Sequence, residues 1–221
     1  PAFVRLRELL QEGVLGDVYC IRADCNQHLG GILPEGHWLY SRRKAGGGVV
    51  ISVAVHKLDL MRFLIGDVRR VTAFQTRSPL HPTMDCEDVA VAALEFECGA
   101  VGEMTALYAA KQRPWNEMLI IYGTKGVVHN VNGIHIYSEA VDAWSRGLTK
   151  ADFAEDWSDS VYLELKDFAR CIRTGDEPRS SGLDNLGTLA VIDAWYRSAA
   201  SGRAEDVRIP RVAVGGSKDV V

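Results

Sequence analysis

The stretch 46–66, Gly46-Gly47-Gly48-Val49-Val50-Ile51-Ser52-Val53-Ala54-Val55-His56-Lys57-Leu58-Asp59-Leu60-Met61-Arg62-Phe63-Leu64-Ile65-Gly66, decides how this chain folds. Its first half is rich in valine and isoleucine, and propensity alone favours a strand there. The polar positions argue otherwise. Ser52, His56, Asp59 and Arg62 are spaced four, three and three apart, which puts them on one face of a helix. The remaining positions are almost all apolar, so such a helix is buried on most sides. The stretch therefore reads as a helix from about Gly48 to Ile65, with Gly66 as its C-terminal stop.

Upstream, Val4 to Gln11 has an amphipathic helix pattern through Leu6, Leu9 and Leu10, and Gly13 can cap it. Gly16 to Cys25 reads as a strand. Tyr19, Ile21, Ala23 and Cys25 share one apolar face; Val18, Cys20, Arg22 and Asp24 share the other. A polar loop runs from Asn26 to Ala45. Downstream, Val68–Thr76, Asp88–Glu97, Val101–Tyr108, Glu117–Tyr122, Gly126–Val131 and Ile134–Tyr137 are strand-like. Short glycine-containing links suggest an antiparallel meander rather than β-α-β crossovers. Two helices follow, Tyr162–Thr174 and Leu183–Ser201, and then a last strand at Val207–Ile209. Residues 1–221 thus read as one α+β domain, an open, mainly antiparallel or mixed sheet with helices packed on one face.

Composition narrows the function. The chain has 221 residues and a net charge of −4, and it lacks the basic excess of a duplex-binding protein. Its longest apolar stretch, Gly46 to Val55, is too short for a membrane span. The N-terminus has no signal-peptide pattern. The five cysteines, Cys20, Cys25, Cys86, Cys98 and Cys171, form no C-x-x-C pair. They read as free thiols in a reducing cytoplasm, with a Cys20–Cys25 bridge as the lesser alternative, and no zinc site is expected. His28, His37 and His81 lack metal-ligand spacing. There is no G-x-S-x-G and no H-E-x-x-H, so nothing supports a hydrolase.

Three segments together resemble the C-terminal domain of the Gfo/Idh/MocA oxidoreductase family. The first is Leu9 to Val18, similar to the family's helix–G-x-L-G-x–strand entry. The second is Gly46-Gly47-Gly48 with His56, Asp59 and Gly66, similar to its G-G-G-x-x-x-D-x-G-x-H-x-x-D stretch. The third is Phe168–Gly175, Ser181–Asp184 and Ala194–Gly202, similar to its terminal helices. The resemblance covers essentially the whole chain. It implies a dihydrodipicolinate-reductase-like C-terminal architecture. It also implies hydride transfer between NAD or NADP and a hydroxyl-bearing carbon of a sugar or cyclitol, and a homo-oligomer formed through the open sheet face. The family's Rossmann domain, with its Gly-rich turn and Glu-Lys-Pro motif, has no counterpart here. The chain, which begins at Pro1, is expected to be the later part of a longer one and to bind no nucleotide by itself.

By motif position His56 is the proton-transfer residue, and an imidazole suits that work because it titrates near neutrality. A buried, satisfied histidine is the competing reading. Ser52 stands where the family usually has an aspartate, and Ala54 where it has a glycine. A hydroxyl hydrogen-bonds but carries no charge. Asp59, one turn after His56, either orients the imidazole or pairs with Arg62. Trp38, Tyr40 and Trp115 either stack on sugar rings or cover the sheet edge. Arg42, Arg43 and Lys44, beside a helix N-terminus, either attract an anionic substrate or are simply solvated. The expected site is thus His56 and Ser52 for catalysis, with Trp38, Tyr40, Arg43 and Asp59 at the substrate. The runner-up is a non-catalytic ligand-binding or oligomerisation module that keeps the fold.

Overall fold

The computed structural model describes residues 2–111, 117–131, 133–139, 145–148, 157–178 and 180–210. The helices are α1 (Ala2–Gln11), α2 (Arg42–Ala45), α3 (Val55–Ile65), α4 (Trp157–Thr174) and α5 (Gly182–Ser201). The strands are β1 (Val18–Asn26), β2 (Val68–Thr76), β3 (Val89–Phe96), β4 (Val101–Leu107), β5 (Leu119–Gly123), β6 (Gly126–His129), β7 (Ile134–Ser138), β8 (Ser145–Leu148) and β9 (Glu205–Asp206).

Among the described residues these strands form one open sheet in the order β8-β7-β6-β5-β1-β4-β3-β2-β9. The meander reading holds for β2-β3-β4 and for β5-β6-β7-β8, which pair antiparallel. It misses the join between them. β1 pairs parallel with β4, Ile21 opposite Gly102, so the chain leaves β1, crosses the sheet through α3 and returns. Three other expectations need correction. The last strand is Glu205–Asp206 rather than Val207–Ile209. β8 was not foreseen. The loop 26–45 contains two single helical turns, Leu29–Gly31 and Trp38–Tyr40, and then α2.

α1, α3 and α5 cover one face. Ile21, Val71, Ala73, Ala92, Leu94, Met104, Ala106, Ile121 and Val128 point into it and are buried. The small residues among them let α5 lie close over β2, where Trp195 is fully buried. Ser198 of α5 accepts the N–H of Ala73 at 2.9 Å and so ties helix to strand. Tyr19 leaves the apolar face it was assigned. A register shift between Val18 and Cys20 turns it out, exposed and stacked on Tyr122.

The other face is open. Reading across the register, one row runs Arg70, Glu95, Val101, Cys20 and Tyr122. The next runs Thr72, Ala93, Glu103, Arg22, Ile120, His129 and His135. Phe74, at 66% exposed, and Val101, at 53%, stand on it uncovered. Arg22 is hydrogen-bonded to Glu103 at 2.6 Å. A hollow of about 470 Å³ lies between Cys20, Arg22, Arg70, Thr72, Glu95 and Glu103. No described helix is long and apolar enough to cross a membrane. The cysteines are all free; Cys20 and Cys25 sit five residues apart in one extended strand, a span no disulfide can bridge.

Candidate active site

The helix expected over 48–65 forms in two parts. Val50–Ala54 is a wider, π-type turn, and α3 continues from it to Ile65. Such turns insert where something competes with the regular helical ladder, and they concentrate at functional sites. Here Glu87, only 3% exposed, sits under the helix start. Its Oε1 accepts the N–H of Gly48 at 2.8 Å and of Val50 at 3.3 Å, and the Tyr196 hydroxyl at 2.8 Å. Its Oε2 takes the Arg42 guanidinium at 3.2 Å, and its backbone carbonyl takes the N–H of Val49. Burial and the adjacent carboxylate push the Tyr196 phenol well above its usual range, so it stays a donor. Gly48 is required by contact, since a Cβ there would lie 1.8 Å from the Glu87 carbonyl oxygen.

This arrangement decides between two readings of the triple glycine. The helix N-terminus that a phosphate or carboxylate would seek is already filled by the chain's own carboxylate. The positive cluster divides: Arg42 is committed to Glu87, while Arg43 is exposed in α2. The residues present do not fit the pyrophosphate of a dinucleotide.

Ser52 is half-buried. Its Oγ donates to the Gly48 carbonyl and lies 2.6 Å from the Tyr108 hydroxyl. A serine has one proton to give, so Tyr108 is the donor of the second bond. Burial raises the Tyr108 phenol above its ordinary range, which keeps that proton in place. Ser52 is therefore a pin between the helix and the end of β4, with its donor spent on the helix itself.

His56, one turn on, is exposed, and nothing among the described residues hydrogen-bonds its imidazole. Its neighbour Lys57 turns the other way and is buried against Glu117 at 2.8 Å. Asp59 does not engage His56. It accepts the Thr188 hydroxyl at 2.7 Å and stands 3.8 Å from Arg62, the ion-pair alternative. Arg62 in turn binds Asp67 and Thr188, and lies flat on α5 where Gly187 has no side chain to obstruct it.

The two aromatic candidates part company. Trp38 is 51% exposed beside His37. Tyr40 is 3% exposed, and its hydroxyl donates to the Leu33 carbonyl at 3.3 Å, which is a packing role and not an open stacking surface. Trp115 lies outside the described residues.

Sequence reasoning missed Glu87, Tyr108, Tyr196 and the pair His81–Asp88. His81 and Asp88 are both buried, 2.9 Å apart, and Nε2 of His81 accepts the N–H of Gly30 at 3.2 Å. The proton is thus on Nδ1, and the pair clamps the loop after β1 to the loop before β3. The signal available was the run Glu87-Asp88 between Cys86 and an apolar strand, two adjacent acids where burial was expected. No group of three or more candidate metal ligands forms among the described residues.

Comparison with known proteins places this geometry. A model described as the GFO/IDH/MocA C-terminal domain matches residues 3–129. The D-apiose dehydrogenase of Rhizobium rhizogenes is 31% identical over 173 residues, 72% of this chain and 48% of that protein. The myo-inositol 2-dehydrogenase of Thermotoga maritima is 26% identical over 95% of this chain and 61% of its own. A solved levoglucosan dehydrogenase, in complex with NADH and levoglucosan, superposes with a TM-score of 0.82 at 22% identity, over 93% of this chain and 62% of that one. An oxidoreductase domain protein from Kribbella flavida gives 0.81 at 23%, over 94% of this chain and 64% of that one. These two share the fold. The chain spans about half to three-fifths of the length of the curated relatives named.

Proposed function

Because the chain belongs to the Gfo/Idh/MocA family through its C-terminal domain, we propose that it is the substrate-side part of an NAD(P)-dependent oxidoreductase acting on a neutral polyhydroxy compound. The relatives named for D-apiose and myo-inositol support a sugar or cyclitol. The observation that carries the reading is His56. On a helix otherwise sunk in the core, it is exposed, with no partner among the described residues. An imidazole so placed takes the proton from a substrate hydroxyl as that carbon is oxidised, and returns it in the reverse direction. The occupied helix N-terminus supports a neutral substrate, since Glu87 already supplies the negative charge there. Trp38 and Arg43, both exposed on the preceding loop, remain the candidates for substrate contact. Tyr40, Asp59 and Ser52 have structural partners and serve by holding those elements. The nucleotide is held by a part of the protein beyond this chain.

The open sheet face supports self-association. Seven strands about 4.8 Å apart and five residues about 3.3 Å long give roughly 550 Å² per copy, or about 1,100 Å² in total, the scale of a specific interface. Its apolar residues Phe74, Val91 and Val101 are uncovered.

The test is turnover by the intact protein with NAD or NADP and neutral polyols, D-apiose and myo-inositol among them. His56→Asn should lower kcat by about a hundredfold or more with little effect on folding. Unchanged turnover would remove His56 from the chemistry. A second reading, a ligand-binding module without catalysis, is favoured by one observation: Ser52 offers no acid or base beside His56. Polyol binding without turnover would select it.

A further inference from the structure

Building on the reading of Trp38 as a substrate contact, we propose that His81, backed by Asp88, is a positioning residue for the substrate. It holds the loop between β1 and α2 in the shape that presents Trp38. His81 and Asp88 are only 4% and 1% exposed. Asp88 is fixed from one side by Ser78, whose N–H and hydroxyl it accepts at 2.6 and 2.5 Å. From the other side it accepts the Nδ1–H of His81 at 2.9 Å. The far ring nitrogen, Nε2, accepts the Gly30 N–H at 3.2 Å. One imidazole thus relays a buried carboxylate to a loop amide, and both its nitrogens are used.

The same ring meets the other end of the loop. Tyr40 stands edge-on to it, with centroids 5.9 Å apart and planes at 84°. Gly30 and Tyr40 belong to the loop's two helical turns, Leu29–Gly31 and Trp38–Tyr40. Trp38 opens the second turn and is exposed. The segment after His81 completes the clamp. The Asp85 N–H donates to the Tyr40 carbonyl at 3.0 Å, and the Asp85 carboxylate accepts the Arg42 N–H. The Cys86 thiol donates to the Leu39 carbonyl at 3.7 Å.

This clamp shares its anchor with the helix that carries His56. The Asp88 carbonyl accepts the Tyr108 N–H at 2.8 Å, and the Tyr108 carbonyl accepts the Leu29 N–H at 3.0 Å. The Tyr108 hydroxyl bonds Ser52, one turn before His56. Glu87, adjacent to Asp88 in the chain, holds the start of that helix. Two neighbouring acids therefore set the loop and the helix against each other. A buried polar network with its bonds made specifies one arrangement. A loop so held gives up less conformational freedom when a ligand binds. Loosening it should weaken substrate binding rather than the chemical step, so KM rises while kcat stays.

Two substitutions separate position from stability. His81→Asn keeps a donor where Nδ1 stands and leaves nothing to accept the Gly30 N–H. His81→Gln reaches the place of Nε2 and can accept that N–H, but loses the bond to Asp88. The experiment is steady-state kinetics of the intact protein with NAD or NADP and myo-inositol or D-apiose, beside thermal melts. His81→Asn should raise the polyol KM about five- to tenfold with kcat within about twofold. His81→Gln should bring KM back to within about twofold of the wild type, although its melting temperature falls. An equal rise of KM in both variants would overturn the proposal, and so would an unchanged KM in His81→Asn. No turnover by the wild type would overturn the functional reading instead, and hydrogen exchange would then decide the clamp. Faster exchange of residues 29–40 in His81→Asn than in His81→Gln, with β2 unchanged, supports it; equal exchange overturns it. If His81→Asn fails to fold, the wild type decides. A Gly30 amide protected like those of β1, and more so with myo-inositol, supports the clamp; an unprotected amide that myo-inositol does not affect overturns it.

Discussion

The Tyr108 hydroxyl lies 2.6 Å from Ser52 Oγ and donates to it, because the serine's own proton goes to the Gly48 carbonyl. This short relay fixes the wide turn at Val50–Ala54, one turn before His56. The position that family resemblance marks for a charged residue is here part of the helix's internal bonding.

The two hydroxyls should therefore behave as one unit. Ser52→Ala leaves a buried phenol without its acceptor and should cost about 1–3 kcal/mol, and Tyr108→Phe about 1 kcal/mol. The double substitution should cost little more than Ser52→Ala alone, because both groups of the bond are then gone. Urea unfolding of the four proteins measures the coupling. Strict additivity would mean that the hydrogen bond does not form.

Glu87 should be among the most sensitive side chains in the protein. Glu87→Ala leaves the N–H groups of Gly48 and Val50 and the Tyr196 hydroxyl without acceptors, and should cost about 3–5 kcal/mol. Glu87→Gln keeps an acceptor and loses mainly the half-exposed Arg42 pair, so it should cost about 1 kcal/mol. Gly48→Ala should be as damaging as the loss of Glu87, since backbone must move to admit the methyl group. Thermal melts of the three variants order them.

Thiol chemistry should follow burial. Cys98 is exposed in the turn between β3 and β4 and should react first with a neutral alkylating reagent near about pH 7.5. Burial raises Cys20 above its usual range, so it should react more slowly. Burial, and then Glu117, push the Cys25 thiol up to about 12; burial, and then Glu87, push Cys86 up to about 11. Both should label only after unfolding. Intact-mass time courses in buffer and in denaturant give the sequence of events.

Val101→Arg separates stability from association. The new guanidinium would lie opposite Glu95 on the neighbouring strand, so the isolated fold should change by less than about 0.5 kcal/mol. The same charge in the middle of the open face should abolish self-association. Sedimentation together with a melt distinguishes this from simple unfolding. Association that survives would place the contact elsewhere on the molecule.

The sequence alone carried the element types and the burial of the helix after the triple glycine. Local patterns report those things: period two through β2, β3 and β4, period near 3.6 through α3 and α5, and glycine at the stops. It also marked His56, through the spacing of polar residues in an apolar run. The tertiary structure alone decided which polar groups are spent and which remain available. Glu87, Tyr108 and Thr188 lie 39, 56 and 129 positions from the residues they bind in the helix region. No periodicity can bring such partners together. The parallel pairing of β1 with β4 is likewise non-local, and it creates the open face on which His129 and His135 meet Arg22 and Glu103 in one row. The physical reason is the same in each case. A side chain's donors, acceptors and charge are local properties, but their partners are chosen by the way distant segments pack, and a hydrogen bond once made removes that group from other chemistry.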